Sequence, residues 1–497
     1  MKDFIKSVEN STVYDVAEVS ELTFAPQLSA RFKNNIYLKR EDEQPIFSFK
    51  LRGAYQKISS LSKDQLNKGV ITSSAGNHAQ GVALAAKKLG ITAVIVMPVA
   101  TPKIKVKSVE RLGGKVVLHG DVYDDAYQYA RQLEKEQDMV YIAPFDDIQT
   151  VIGQATIGRE ILDQLENVDL VFVPVGGGGL IAGVAGFIKS VNDKVKIIGV
   201  EPEDSPTLHH AMRDGKRTIL EEVGRFADGV AVKQIGEVTF EFAKKYVDDV
   251  ILVSNDQICA AIKDIYEDAR SISEPAGALS TAGMKKFIDE NQIENLNIVS
   301  INSGANVNFD RLRYIAERAD LGEYTEAIIA ATIPEKPGSF LKFCNLLDNH
   351  SITEFNYRYA PTDEAHIFVG VGLSNGLAEK DELIEKLSKS FDIVDMSDNS
   401  MAKTHIRHMV GGRASAANEV VYRFEFPERP GALLRFLMKI GSQWNISLFH
   451  YRNHGADFGR VLIGLQSDNV QELEKRFDEL GYFYKNESDN KAYQYFL

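Results

Sequence analysis

Ser48-Phe49-Lys50-Leu51-Arg52-Gly53-Ala54 is the stretch on which the reading of this chain turns. Ser48 reads as the N-cap of a helix that runs on through Ala54 and Tyr55. Lys50 then lies in the first turn, where burial and the positive end of the helix dipole both disfavour its ammonium form. A lysine must be neutral to attack an aldehyde, so the position suits a nucleophilic amine. Ser73-Ser74-Ala75-Gly76-Asn77-His78 lies between a predicted strand and a predicted helix, where backbone N–H groups make an anion site. Ser74, Ala75, Gly76, Asn77 and His78 are the candidates for holding a substrate carboxylate there, with His78 reading as structural rather than catalytic. Gly176, Gly177, Gly178 and Gly179 follow the apolar run Val171–Val175 and precede a helical pattern over Leu180–Ile188. Only glycine lets several backbone amides approach one phosphate together. Ser303 follows the apolar run Ile298–Ile301.

An amine, an Asn-bearing turn, a glycine cradle and a late serine are the parts needed to hold pyridoxal phosphate, an electron sink joined covalently to a lysine. In that reading Asn77 donates to the ring hydroxyl. Ser303 donates to the pyridine nitrogen without supplying the negative charge that would keep it protonated, which suits elimination. A second reading competes on the glycine segment alone. Gly177-Gly178-Gly179-Leu180-Ile181-Ala182 satisfies G-x-G-x-x-A, and Glu201 follows about 20 residues on, which is the dinucleotide fingerprint of a nicotinamide oxidoreductase. That reading leaves Lys50, Asn77 and Ser303 unexplained. It also expects its glycines after the first strand of their domain.

Up to about residue 320, short β-branched runs alternate with helical patterns. Strands are predicted at Val70–Thr72, Thr92–Met97, Val116–Leu118, Leu170–Val175, Val195–Val200 and Leu296–Ile301, with helices at Gln80–Leu89 and Lys103–Leu112. This is an α/β pattern of parallel sheets covered by helices, with ligands expected at the carboxyl ends of strands. Beyond about residue 325 a repeat appears. Glu335-Lys336-Pro337-Gly338-Ser339-Phe340 is echoed by Glu428-Arg429-Pro430-Gly431-Ala432-Leu433, and Ile352–Arg358 by Ile446–Arg452. Each copy reads strand, Pro-Gly turn, helix, strand, strand, and Val410–Ala416 reads as the linker between them.

Bulk properties narrow the class. The chain has 497 residues and a net charge of −13, which argues against a general nucleic-acid or anionic-membrane binder. No apolar run approaches the ~18 residues of a membrane span, and the start of the chain lacks an apolar signal core. Cys259 and Cys344 are the two cysteines, no Cys/His spacing resembles a metal site, and a reducing cytoplasm fits.

Taken together, these segments resemble the fold-type II pyridoxal-phosphate enzymes and, within them, the biosynthetic threonine dehydratase family, over nearly the whole chain. Ser48–Ala54 looks like the family's cofactor-lysine motif and Ser74–Gly81 like its substrate loop. Gly176–Leu180 is similar to its phosphate loop, and Ser303–Asn306 to its ring-nitrogen site; Glu274-Pro275-Ala276-Gly277-Ala278 is also typical of it. The lysine and glycine motifs are shared with serine racemase and serine dehydratase, and the repeated tail favours the regulated dehydratase. The resemblance implies a two-subdomain catalytic domain over 1–322 and two tandem α+β ACT-like modules over 326–400 and 420–491. It implies Lys50 as the catalytic residue, with Phe49, Lys50, Asn77, Gly176–Gly179, Leu180 and Ser303 around the cofactor. The expected substrates are L-threonine and L-serine. Isoleucine is the expected inhibitor and valine the expected activator, bound near Phe340, Tyr357, Leu433 and Tyr451, and the expected assembly is a homotetramer. A non-catalytic amino-acid sensor is the remaining alternative, against which the intact lysine, glycines and serine argue.

Overall fold

The computed structural model describes residues 2–334, 339–347, 350, 352–357, 363–408, 417–427, 444–452 and 458–497. The chain divides into two compact units, Met1–Asn308 and Phe309–Leu497. The division falls before the helix Arg311–Gly322, whereas the sequence pattern places that segment with the catalytic part.

In the first unit, β1 (Leu22–Phe24) and β2 (Asn35–Arg40) open the chain antiparallel to each other. The chain then leaves to build a small sheet from β3 (Val70–Ser73), β4 (Ala93–Met97), β5 (Lys115–Leu118) and β6 (Val140–Tyr141), in the order β5-β4-β3-β6 and all parallel. It returns through β7 (Leu170–Pro174), β8 (Lys196–Pro202), β9 (Asp249–Val253) and β10 (Asn297–Asn302), which complete a six-stranded sheet in the order β1-β2-β10-β7-β8-β9. β3, β4 and β7 are buried at every residue. Parallel strands covered on both faces read as unbroken apolar runs for that reason. From β7 the chain winds outward to β9, then comes back to lay β10 between β2 and β7. The crevice above β7 and β10 is therefore a topological switch point, where open α/β sheets bind ligands.

In the second unit each module is larger than the repeat suggests. The first runs β11 (Glu326–Pro334), helix Ser339–Leu347, β12 (Ile352–Tyr357), β13 (Glu364–Gly372), helix Gly376–Ser388 and β14 (Asp392–Asp395). The second has β15 (Glu419–Pro427), β16 (Asn445–Arg452), β17 (Phe458–Gln466), helix Val470–Leu480 and β18 (Phe483–Asn486). The sheets have matching antiparallel orders, β12-β13-β11-β14 and β16-β17-β15-β18. Both carry a register irregularity at the same place, between Ile352 and Glu354 and between Ile446 and Leu448. A shared local fault in the ladder is stronger evidence of duplication than the shared Pro-Gly turns. Apolar residues of both modules, Ile328 and Phe368 with Val421 and Leu462, pack in one cluster, and Phe496 stacks edge-on against Phe368. Phe340 lies on the helix Ser339–Leu347, and Tyr357 and Tyr451 lie on β12 and β16. Leu433, the linker Val410–Ala416 and the side chains of Phe340, Tyr357 and Tyr451 fall outside the described residues. Among the described residues no helix is long and apolar enough to cross a membrane.

Candidate active site

Three of the four motifs sit at carboxyl ends of strands: Ser74–Asn77 after β3, Gly176–Gly179 after β7 and Ser303 after β10. Lys50 reaches them through a short backbone pairing. Ser48 bridges Gly304, Phe49 N donates to Ser303 O (3.2 Å) and Ala305 N to Phe47 O (2.9 Å). This pairing corrects the expected cap. The helix begins at Lys50 with Phe49 in the capping position, and Ser48 Oγ is buried with no partner among the described residues. The bridge to Gly304 holds Ser48 one residue ahead of the position from which it could cap. Lys50 still falls in the first turn.

A cavity opens where these segments meet. Its lining includes Phe49, Lys50, Asn77, Gly176, Gly177, Gly178, Gly179, Leu180 and Ser303, brought from four separate segments. Ser74, Ala75, Gly76 and His78 are not among the lining residues. Ser74 Oγ accepts from Gly76 N (3.3 Å), which shapes the turn. His78 is buried and its Nε2 meets the Ile142 carbonyl at 3.0 Å; burial, with the nearby Lys50 charge adding, pushes its pKa down to about 3. A neutral, committed imidazole is a structural one, as its placement behind the turn requires.

The glycines leave room that no other residue would. A Cβ on Gly177 would lie 2.2 Å from the Phe145 ring, and Gly178 has φ of 90°, in the left-handed region. The helix Gly179–Val191 starts from Gly178 with no side-chain cap, so its N-terminal N–H groups are open to an anion. Lys50 Nζ donates to the Pro144 carbonyl (3.1 Å). Burial lowers its pKa to about 8, opposed by the charge of Glu274. Ser303 Oγ makes a long bond to Ala276 O, 3.3 Å, which leaves the hydroxyl available to a better acceptor. The chemistry of these groups fits pyridoxal phosphate: a cradle for the phosphate, an amine for the aldehyde, an amide for the ring oxygen and a hydroxyl for the ring nitrogen. Phe145, Val230, Ala276 and Glu274 also line the cavity. Phe145 carries no sequence signal at all, whereas Glu274 sits in a typical motif that gives it no role.

Glu201 removes the dinucleotide reading. It is fully buried at the end of β8 and accepts from Thr207 Oγ1 (2.9 Å), Leu208 N (2.8 Å) and His209 N (2.8 Å). The carboxylate caps the helix Thr207–Asp214 and has no face left for a ribose. Burial nevertheless pushes its pKa up to about 7, against the pull of those donors. A larger, more open groove in the second unit, lined by Thr332, His366, Phe391, Asp392 and Tyr495 among others, contains none of the four motifs. Convergence of chemistry, not size, marks the site.

Known proteins resemble this chain along its whole length. Residues 15–304 match the family model of the pyridoxal-phosphate dependent enzymes. Residues 317–406 and 410–497 each match the C-terminal regulatory domain of threonine dehydratase. A biosynthetic L-threonine dehydratase of Escherichia coli K12 is 51% identical over 498 residues, covering 100% of this chain and 97% of that protein. The solved structure of the processed form of threonine deaminase isoform 2 from Solanum lycopersicum has a TM-score of 0.64 at 49% identity, covering 64% of this chain and 88% of that one. Maize serine racemase has a TM-score of 0.59 at 32% identity, covering 63% of this chain and 95% of that one.

Proposed function

The chain belongs to the pyridoxal-phosphate dependent enzymes and, within them, to the biosynthetic threonine dehydratases, and we propose that it converts L-threonine to 2-oxobutanoate and ammonia, the committed step of isoleucine biosynthesis. The observation that carries this is the meeting of Lys50, Asn77, Gly176–Gly179 and Ser303 on one cavity, in a chain with a duplicated regulatory tail. Bound there, pyridoxal phosphate supplies an aldehyde for the substrate amine and a conjugated ring that draws electrons from the substrate Cα. Gly176–Gly179 and Leu180 hold the phosphate through main-chain N–H groups and the positive end of a helix. Asn77 donates to the ring hydroxyl and Ser303 to the ring nitrogen. Lys50 anchors the cofactor, and its Nζ, when neutral, takes the proton from the substrate Cα. The turn Ser74–Asn77 receives the substrate carboxylate at the N-terminus of the helix Asn77–Leu89.

The test is an absorption spectrum of the purified protein, then keto-acid release from threonine and from serine. Visible absorption from a lysine-linked cofactor and faster release from threonine are expected. The likeness of the first unit to a serine racemase supplies the alternative. Formation of D-serine without keto acid would establish it in place of the dehydratase.

Regulation belongs to the same reading. The two modules bind isoleucine as inhibitor and valine as activator, with Phe340, Tyr357, Leu433 and Tyr451 at the ligand, in a cytoplasmic homotetramer. The duplicated sheets and the regulatory-domain match support it. Threonine turnover against isoleucine for Phe340→Ala and Leu433→Ala should show weakened inhibition with little change in maximal rate, since effector coupling is typically about 1–3 kcal/mol. Unchanged inhibition curves would leave the modules as scaffold, and a light-scattering mass reports the tetramer.

A further inference from the structure

We propose that Glu274 is a positioning residue which, with Asn306, fixes the side-chain amide of Asn77 so that a donor faces the ring oxygen of the cofactor. The inference rests on the cofactor site described above and adds what orients its amide. An Asn amide has nearly the same shape either way round, so only its neighbours decide which atom points where. Asn77 has two neighbours that agree. Its Nδ2 donates to Glu274 Oε1 at 2.5 Å, and its Oδ1 accepts from Asn306 Nδ2 at 2.8 Å. Asn306 is itself set by the main chain, because its Nδ2 also donates to the Ile46 carbonyl at 2.8 Å. A half-turn of the Asn77 amide would set Oδ1 against the Glu274 carboxylate and Nδ2 against the Asn306 Nδ2. Both contacts would then be repulsive. In the observed orientation one Nδ2 hydrogen goes to Glu274 and the second remains for the ring oxygen.

The placement of Glu274 is what this role needs. It occupies the N-cap position of the helix Pro275–Asn291, but its side chain makes no capping bond to that helix. Its backbone N donates to the Gly304 carbonyl (3.1 Å), tying it to the loop that carries Ser303 and Asn306. The residue is 5% exposed and lines the cavity. A buried carboxylate turned away from its own helix thus meets Asn77 at the cavity, while its main chain is tied to the loop of Gly304. Its charge also faces Lys50 and supports the ammonium form of that lysine.

The test is reconstitution of the full-length apoprotein with pyridoxal phosphate, read as a dissociation constant from cofactor absorbance. Wild type, Asn77→Ala, Glu274→Ala, Asn306→Ala and the double variant Asn77→Ala/Glu274→Ala are compared, with thermal unfolding as a check on the fold. Glu274→Ala and Asn306→Ala should each weaken binding about tenfold, and Glu274→Ala should add less than about twofold once Asn77 is gone. Glu274→Gln, which keeps an acceptor oxygen, should stay within about threefold of wild type. Equal losses with and without Asn77, or wild-type binding in both Glu274→Ala and Asn306→Ala, would overturn the proposal. If Glu274→Ala does not fold, Asn306→Ala alone and in the Asn77→Ala background tests the same coupling from the other side of the amide. A wild-type protein that takes up no pyridoxal phosphate would instead overturn the functional reading itself.

Discussion

Lys50 and Arg52 lie two residues apart on one helix, and the surroundings of the two cations could hardly differ more. Arg52 is fully buried and every guanidinium nitrogen is used. It donates to Glu41 through Nε and Nη2, both at 2.8 Å, and to Glu160 through Nη1 at 2.6 Å. Glu160 also takes Lys39 Nζ at 2.7 Å and Tyr14 OH at 2.9 Å, so two cations and two carboxylates close into a buried, neutral cluster. The two carboxylates raise the pKa of Arg52 in spite of burial. Lys50 opens on the cavity, donates to a neutral carbonyl, and has its pKa lowered to about 8. Burial with full pairing yields a fixed charge that anchors the helix. Burial without a paired carboxylate yields an amine that can shed its proton. One helix therefore carries both the anchor and the reactive group.

The sharpest way to break this contrast is to remove each cation in turn. Lys50→Ala should lose threonine turnover by several orders of magnitude, roughly 10³-fold or more, since the same amine is both anchor and base. Its circular dichroism and unfolding curve should remain close to wild type. Arg52→Met should do the reverse. It leaves Glu41 and Glu160 buried with too little positive charge, and breaking a buried pair from one side costs about 3–5 kcal/mol. Urea denaturation measures that loss. A variant as stable as wild type would mean that the cluster does not anchor the helix.

Gly177→Ala gives a smaller effect of a third kind. The added Cβ would meet the Phe145 ring, and relief requires a shift of that ring or of the glycine loop, both of which line the cavity. Cofactor affinity should fall by roughly five- to 150-fold, about 1–3 kcal/mol of overpacking, with stability changed less than in Arg52→Met. Titration of the apoprotein with pyridoxal phosphate measures it. Equal affinity would mean that the phosphate does not use this loop.

The contrast also explains what can be read from the sequence. Lys50 at a helix start, and Asn77, the four glycines and Ser303 at strand ends, are legible because such places do their chemistry locally: a helix N-terminus or a glycine run carries its own geometry. The partners of Arg52 are not legible, since Glu160 lies 108 residues away and nothing in its neighbourhood announces a pair. The Ser48 cap fails for the same reason. Its local pattern is sound, but a bridge to Gly304 takes the residue. Glu201 fits a fingerprint by spacing, and only the fold shows it spent on capping a helix. In the tail the repeat marks the first half of each module. The helices Gly376–Ser388 and Val470–Leu480 escape it because the two copies share little sequence there.

The smallest predicted effect is a titration, and it bears directly on the difference between the two cations. Lys50 has a folded pKa of about 8 against an ordinary 10.5. Well below pH 8 it is protonated folded and unfolded, so it adds no slope to stability there. Between about pH 8 and 10.5 the unfolded chain holds a proton that the folded chain has released, so the Lys50 contribution to stability rises with pH. Its reactivity follows the neutral fraction. From pH 7 to pH 8 that fraction grows from roughly a tenth to a half, about fivefold, and above pH 9 it levels off. Of the titratable groups near the amine, His78, with a pKa of about 3, stays neutral across this window, and the Glu274 charge opposes the shift. The rate at which apoprotein takes up pyridoxal phosphate should therefore climb through pH 8 and flatten, after correction for the cofactor's own ionisation. Glu274→Gln removes the opposing charge and should move the midpoint downward. A midpoint near 10.5 in wild type would show Lys50 to be solvated like an ordinary lysine, and the contrast with Arg52 would then be one of position only.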